Sequence, residues 1–131
     1  MRYLIDTHTF LWFTEGSALL SPKAIELMQD ENNEIFLSMA SLWEISIKVG
    51  LGKLEIIGGY QNIMIDIIGN DISILPIDYA HTLVQSELPL YHRDPFDRLI
   101  IAQALSENMS IIGKDEFFAP YFEEKTIKCV W

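Results

Sequence analysis

The sequence predicts an α/β fold: a three-layer sandwich with a central, mainly parallel sheet flanked by helices. Three observations predict it. Short apolar runs alternate with helix-like stretches along the whole chain, so each strand reaches the next through a crossover, the connection that joins parallel strands. The first run, Arg2-Tyr-Leu-Ile-Asp6, is almost continuously apolar, the pattern of a strand covered on both faces. Half of the 131 residues are hydrophobic and 21% are charged, which excludes disorder, and 7 Gly with 5 Pro exclude collagen-like and low-complexity folds.

The elements follow in order. Arg2 to Asp6 is the first strand, and an apolar helix start holding Phe10, Trp12 and Phe13 comes after it. These three aromatics are expected in the core or an interface rather than as base-stacking platforms. Ser21-Pro22 opens a helix to about Gln29, with Ser21 as cap and Pro22 where a missing N–H is harmless. Glu34 to Ser38 is the second strand, followed by a helix from about Met39 to Val49 that Gly50-Leu-Gly52 breaks. A short extended piece is expected over Leu54 to Ile57, and an apolar helix over Tyr60 to Ile68. Ile72 to Leu75 is the third strand, Asp78 to Glu87 a helix and Leu88 to Asp94 a loop. Pro95 to Glu107 carries the strongest helix signal, and Ser110 to Ile112 is a strand. Asp115 starts a short aromatic helix, and Thr126 to Val130 is the last strand.

No repeat or linker interrupts residues 1–131, so one domain is expected, able to bury about 65–70% of the surface its unfolded chain exposes. No apolar run nears the roughly 20 residues of a membrane span, and Asp6 and His8 interrupt the N-terminal stretch where a signal peptide stays apolar. The single cysteine, Cys129, cannot close an internal disulfide; a core position and a reducing cytoplasm are the expectations.

The charge balance is a constraint of its own. Nine basic residues against 19 acidic give a net charge of −10. A protein that holds nucleic acid by charge alone is basic. An acidic one points to small molecules, basic partners or a cation-loaded site.

In open parallel sheets, ligands bind outside the carboxyl ends of the strands. This sequence puts acids at those junctions: Asp6 after the first strand, Glu44 in the helix after the second, Asp94 and Asp97 at the opening of the long helix, and Asp115 after the next strand. Singly, each has an ordinary reading. Asp6, Asp94 and Asp115 suit helix caps, and Glu44 suits a capping box with Ser41 or a pair with Lys48. Capping, however, is served equally by Ser, Thr or Asn, and needs no convergence of acids from four segments. Two unit charges about 4 Å apart at an effective dielectric near 20 repel by about 4 kcal/mol, a large share of a domain's stability margin. A hard divalent cation, Mg²⁺ or Mn²⁺, is the expected compensation, since carboxylate oxygens suit it and the scattered His8, His81 and His92 resemble no zinc site. His8 and His92 lie near the proposed junctions, where a metal or phosphate contact is open to them, but a structural or surface role is the expectation for each. Such a cluster is equipped to hydrolyse a phosphodiester through metal-activated water.

These segments resemble the PIN domain, and more closely the VapC-like toxin ribonucleases of toxin–antitoxin pairs. The matching blocks are Leu4-Ile-Asp-Thr-His-Thr-Phe-Leu-Trp12, Ser41-Leu-Trp-Glu-Ile-Ser-Ile-Lys48, His92-Arg-Asp-Pro-Phe-Asp-Arg-Leu-Ile-Ile-Ala-Gln-Ala104 and Ile111-Ile-Gly-Lys-Asp-Glu-Phe-Phe118, with a terminal Trp131. The resemblance implies a Mg²⁺- or Mn²⁺-dependent endoribonuclease, usually a homodimer, silenced by a cognate antitoxin. It maps catalytic and metal-binding roles onto Asp6, Glu44, Asp97 and Asp115, with Asp94 as a further metal-binding acid. The spacing from Asp97 to Ala102 is one residue longer than in many relatives, which leaves the division of roles between Asp94 and Asp97 open. Gly113 stands where relatives often carry Thr or Ser, so a hydroxyl contact near the fourth acid is expected to be lost.

Among the basic residues, Lys48 and Arg98 are the foremost candidates to touch RNA, ahead of Lys53, Arg93 and Lys114. Trp43 is expected to pack. Two other α/β classes fit poorly. A signalling receiver needs paired acids after the first strand and a strand-ending Asp in mid-chain, and a haloacid-type phosphatase needs Asp-x-Asp where this chain has Asp6-Thr7-His8. The alternative within the family is a catalytically silent PIN module acting as a binding or scaffold protein.

Overall fold

The computed structural model describes residues 1–131. Five strands, β1 (Arg2–Ile5), β2 (Glu34–Ser38), β3 (Ile72–Leu75), β4 (Ser110–Ile112) and β5 (Cys129–Val130), form one sheet in the order β3-β2-β1-β4-β5. Every pairing is parallel. Six α-helices surround the sheet: α1 (Thr7–Glu15), α2 (Pro22–Gln29), α3 (Met39–Gly50), α4 (Ile63–Gly69), α5 (Tyr79–Glu87) and α6 (Pro95–Glu107).

The alternation of side chains along β1 builds both outer layers. Tyr3 and Ile5 join a core with Phe10 and Leu11 of α1, Ala24 and Met28 of α2, Leu42 and Ile45 of α3, and Ile63 and Ile67 of α4. Leu4 points the other way, into a core with Ile100, Ile101 and Ala104 of α6 and with Phe118, Tyr121 and Phe122. A strand buried on both faces tolerates no polar interior residue, hence its unbroken apolar run.

Local signals set the helix ends. Ser21 accepts from the Ala24 N–H at 3.0 Å and Pro22 occupies the first turn of α2. Asp78 and His81 close a capping box on α5. At the start of α3 the cap is Ser38, which accepts from the Ala40 N–H, and Ser41 is left free for another partner.

The stretch from Leu54 to Ile57 is irregular rather than extended; Leu54 and Ile56 nevertheless pack against the first core, which explains their apolar pattern. Tyr60–Asn62 is a 3₁₀ turn ahead of α4, and the aromatic segment after Asp115 is a turn followed by a 3₁₀ turn at Ala119–Phe122. The last strand narrows to Cys129–Val130.

The order of the strands locates the site. The chain winds outward from β1 to β2 to β3, then returns across the sheet to lay β4 on the other side of β1. The switch point therefore falls between β1 and β4, where Ile5 pairs with Ile112, and a crevice opens beyond their carboxyl ends.

Candidate active site

Asp6 follows β1 directly and caps α1, one carboxylate oxygen accepting from the Thr9 N–H at 2.8 Å. Burial pushes its carboxyl above the usual range, against the pull of the Thr9 hydrogen bonds and His8; Asp115 adds to the push. Glu44, buried in the second turn of α3, is held at both oxygens. Thr7 Oγ1 donates to Oε1 at 2.8 Å and Lys48 Nζ donates to Oε2 at 2.9 Å. Thr7 has one proton to give, so its 2.9 Å contact with Ser41 is an acceptance from the Ser41 hydroxyl.

Asp94 caps α6, its Oδ1 accepting from the N–H groups of Phe96 and Asp97 at 2.9 and 3.0 Å. Asp97, one turn in, has its carboxyl pushed up to about 7, chiefly by burial and then by Asp94, with Glu44 and Asp6 adding to the push and His92 opposing it. Asp115 lies three residues beyond β4, and its Oδ1 accepts from the Phe117 N–H at 2.9 Å. The ordinary capping readings of Asp6 and Asp94, and the pairing of Glu44 with Lys48, are all present. They do not use up the acids, because side chains from separate segments still crowd one another at the switch point. The donor set of carboxylate oxygens fits a hard divalent cation: Asp94, Glu44 and Asp6 lie close enough to Asp97 to push its carboxyl up, and Asp115 does the same to Asp6.

His92 joins this group. Its Nε2 lies 2.7 Å from Asp115 Oδ2 and 3.2 Å from Asp97 Oδ2. The Asp94 N–H donates to Nδ1 at 3.1 Å, so the neutral ring carries its proton on Nε2 and donates to the carboxylates. In this tautomer His92 orients the two acids, and its ring nitrogen and one carboxylate oxygen each of Asp97 and Asp115 lie within 4.8 Å of one another. Its backbone is fixed as well: its N–H donates to Tyr121 Oη at 2.8 Å and its carbonyl accepts from Arg98 at 3.2 Å. Of the structural and surface roles expected for His92, the hydrogen bonds give it the structural one. The available signal was its place two residues before a helix cap, which by itself means little.

Arg98, a candidate RNA contact, lies buried. It is 7% exposed, and its guanidinium donates to the carbonyls of Gln85, Leu88, Pro89 and His92 at 3.0–3.2 Å. It staples the 88–94 loop instead of facing solvent. Lys48 keeps its exposed position but is paired with Glu44. Trp43, expected to pack, is 57% exposed and meets Phe96 edge-on at 5.2 Å. His81, which closes the capping box of α5 with Asp78, also pairs at 2.8 Å with Glu107 at the end of α6.

Gly113 has a steric reason of its own. A Cβ there would lie 2.9 Å from Asp6 Oδ2 and 3.1 Å from its Cγ. The Asp6 carboxylate occupies the space that a side chain at 113 needs. Cys129 is partly buried with its thiol pushed up to about 12, by burial first and then by Asp6 and Asp115; it is an unreactive packing residue.

The PIN domain profile matches residues 3–121, all but the two ends of the chain. The chain belongs to the PIN domain family. The PIN fold here also superposes on solved structures of low sequence identity. VapBC2 of Rickettsia felis, bound to a DNA fragment from its promoter, matches with a TM-score of 0.68 at 20% identity, over 100% of this chain and 98% of that one. VapBC-1 of nontypeable Haemophilus influenzae gives 0.64 at 16% identity, over 98% of both chains. FitAcB of Neisseria gonorrhoeae gives 0.61 at 15%, over 98% of this chain and 96% of that one. No curated protein matches the sequence at a significant level. The PIN assignment agrees with the site geometry, since the four matching sequence blocks are the segments that carry the clustered acids. No helix of this PIN domain is long and apolar enough to cross a membrane.

Proposed function

We propose that this chain is a metal-dependent endoribonuclease, the toxin of a toxin–antitoxin pair, working as one nuclease domain over residues 1–131 in a reducing cytoplasm. The observation that carries the reading is the convergence at one switch point of Asp6, Glu44, Asp97 and Asp115, with Asp97 held near 7 by burial and its acidic neighbours. Acids buried beside one another in this way are a poor device for capping helices and a good one for holding Mg²⁺ or Mn²⁺.

A cation held by these acids supplies positive charge to the phosphate and lowers the pKa of a water near it. The chain's own residues do the rest. Thr7 and Lys48 fix both oxygens of Glu44, while His92 orients Asp115 and Asp97. Attack by water in line with the leaving 3′-oxygen leaves 5′-phosphate and 3′-hydroxyl ends. A single-stranded loop suits a recessed crevice better than a stiff duplex. Lys48, at the rim, is the proposed RNA contact; Arg98 has no part in it.

The net charge of −10 implies a basic inhibitor, which we take to be a cognate antitoxin placing an Arg or Lys among the acids. A homodimer completes the assembly by analogy with the relatives the sequence resembles.

The deciding experiment is cleavage of single-stranded RNA with Mg²⁺ or Mn²⁺. Asp6→Asn, Glu44→Gln and Asp97→Asn, checked for folding by circular dichroism, should each slow cleavage by at least about 100-fold, some 2.7 kcal/mol of barrier. Wild-type rates in folded variants, or 2′,3′-cyclic ends formed in EDTA, would overturn the mechanism.

A further inference from the structure

We propose that the groove between Tyr91 and Phe117 is a nucleobase-stacking subsite, taking the base next to the phosphate held at the acids; this rests on the nuclease reading above. The groove has a volume of about 340 Å³ and is lined by Tyr91, His92, Arg93, Asp94 and Phe117. Tyr91 and Phe117 are 52% and 53% exposed and belong to neither core, so folding leaves two aromatic rings at one opening. Exposed aromatics grouped at a concavity mark a contact surface rather than a packing accident.

Three features identify the occupant. The first is continuity with the acids. His92 is a wall of the groove, and the same imidazole donates to Asp115 at 2.7 Å and approaches Asp97 at 3.2 Å. The groove therefore shares the His92 wall with the candidate metal centre, so a chain whose phosphate lies at the acids passes beside it. The second is pre-organisation. Tyr91 sits on the loop that Arg98 staples, and it meets Tyr121 edge-on at 5.0 Å. Tyr121 in turn donates from its hydroxyl to the Pro89 carbonyl at 2.6 Å. Phe117 follows an Asp115 turn and meets His92 edge-on at 5.8 Å. Rings held in place before a ligand arrives lose little freedom when a base stacks on them. The third is charge. In a protein of net charge −10, the exposed Arg93 places a guanidinium on this same wall, where a sugar-phosphate backbone leaving the acids would pass.

A base satisfies all three, having an apolar π-face for the rings and an anionic backbone for Arg93. Aromatic stacking accepts any base, so the subsite favours an unpaired nucleotide over a paired one and contributes affinity more than sequence choice.

The test is steady-state cleavage of single-stranded RNA in Mn²⁺ by the intact protein and by a Tyr91→Ala/Phe117→Ala double variant. The variant should raise KM by at least about tenfold, within the range of base–aromatic stacking, with kcat and Mn²⁺ affinity near wild type. Tyr91→Leu/Phe117→Leu keeps apolar bulk and guards against a folding defect; it should lose binding too, while Tyr91→Phe should not. An abasic nucleotide beside the mapped scissile bond should weaken wild-type cleavage by a similar factor, and add no further loss in the double variant. An unchanged KM, or an abasic penalty undiminished in the variant, overturns the subsite. So does a variant that keeps its KM but loses a co-purifying protein, which would make this rim a protein-docking surface. If the wild type binds Mn²⁺ but cuts no RNA, the nuclease reading fails and the subsite with it; if it cuts RNA and the rings are silent, the subsite alone fails.

Discussion

Asp97 carries a carboxyl near 7 in the folded chain against an ordinary value of 3.8, so between those values the native state holds a proton that the unfolded state has released. Without divalent ions, stability should therefore fall as pH rises from about 4 through about 7. Asp97→Asn removes that penalty. The metal-free variant should be more stable than wild type at pH 8, by on the order of 1–2 kcal/mol after solvent screening is allowed for, and indistinguishable near pH 4. Urea unfolding at the two pH values checks this; equal destabilisation at both would show that Asp97 matters only as packing. His92 makes a second prediction at this scale. Because it donates to Asp115 and Asp97, His92→Ala should weaken Mn²⁺ binding and lower kcat, and His92→Gln, which retains an N–H donor, should recover part of both. Gly113→Ser is expected to displace the Asp6 carboxylate and weaken metal binding, rather than restore a lost contact, because the added Cβ meets Asp6 Oδ2 at 2.9 Å.

At the scale of elements, the start of α6 and the loop before it behave as one unit. Arg98 joins them by hydrogen bonds to three loop carbonyls and to that of Gln85 in α5, and Tyr121 adds a hydroxyl from beyond β4. Arg98→Ala strands these carbonyls in a buried setting. Each unmet buried group costs about 1–3 kcal/mol, and water entering the space offsets some of the loss, so about 3 kcal/mol in total is expected from denaturant titration. Activity should fall as well, through a misplaced His92 rather than through RNA binding. A stable variant with a selectively raised RNA Kd would restore Arg98 as a direct contact. Arg98→Lys should not rescue, since a single ammonium cannot reproduce the guanidinium fork.

For the whole molecule, the acids at the switch point and the net charge of −10 act in the same sense: both oppose the compact state and both are relieved by cations. Mg²⁺ or Mn²⁺ at millimolar concentration should raise the melting temperature, and chelation should reverse it, by mass action on the native state. The rise should shrink in Asp97→Asn far more than in a variant of a remote acid such as Glu31, which separates site binding from general screening. Calorimetry that finds no divalent-ion binding to the folded protein would remove the proposed metal centre.

The sequence by itself determined the layers and the identity of the acids. Tyr3-Leu4-Ile5 announces a doubly covered strand, Ser21-Pro22 and Asp94-Pro95 announce helix starts, and Asp6, Glu44, Asp97 and Asp115 stand at junctions set by those boundaries. These signals lie within a few residues of the structure they specify, because capping and side-chain periodicity are local physics. Only the tertiary structure decided which neighbours those residues meet. The strand order put the switch point between β1 and β4, and His92 found Asp115 at a sequence separation of 23. Arg98, an ordinary surface charge by residue type, became a buried staple, while Trp43, an ordinary packing residue, stayed exposed. Burial and hydrogen bonding between distant segments depend on how the completed layers pack, and nothing in a residue's immediate sequence records that outcome.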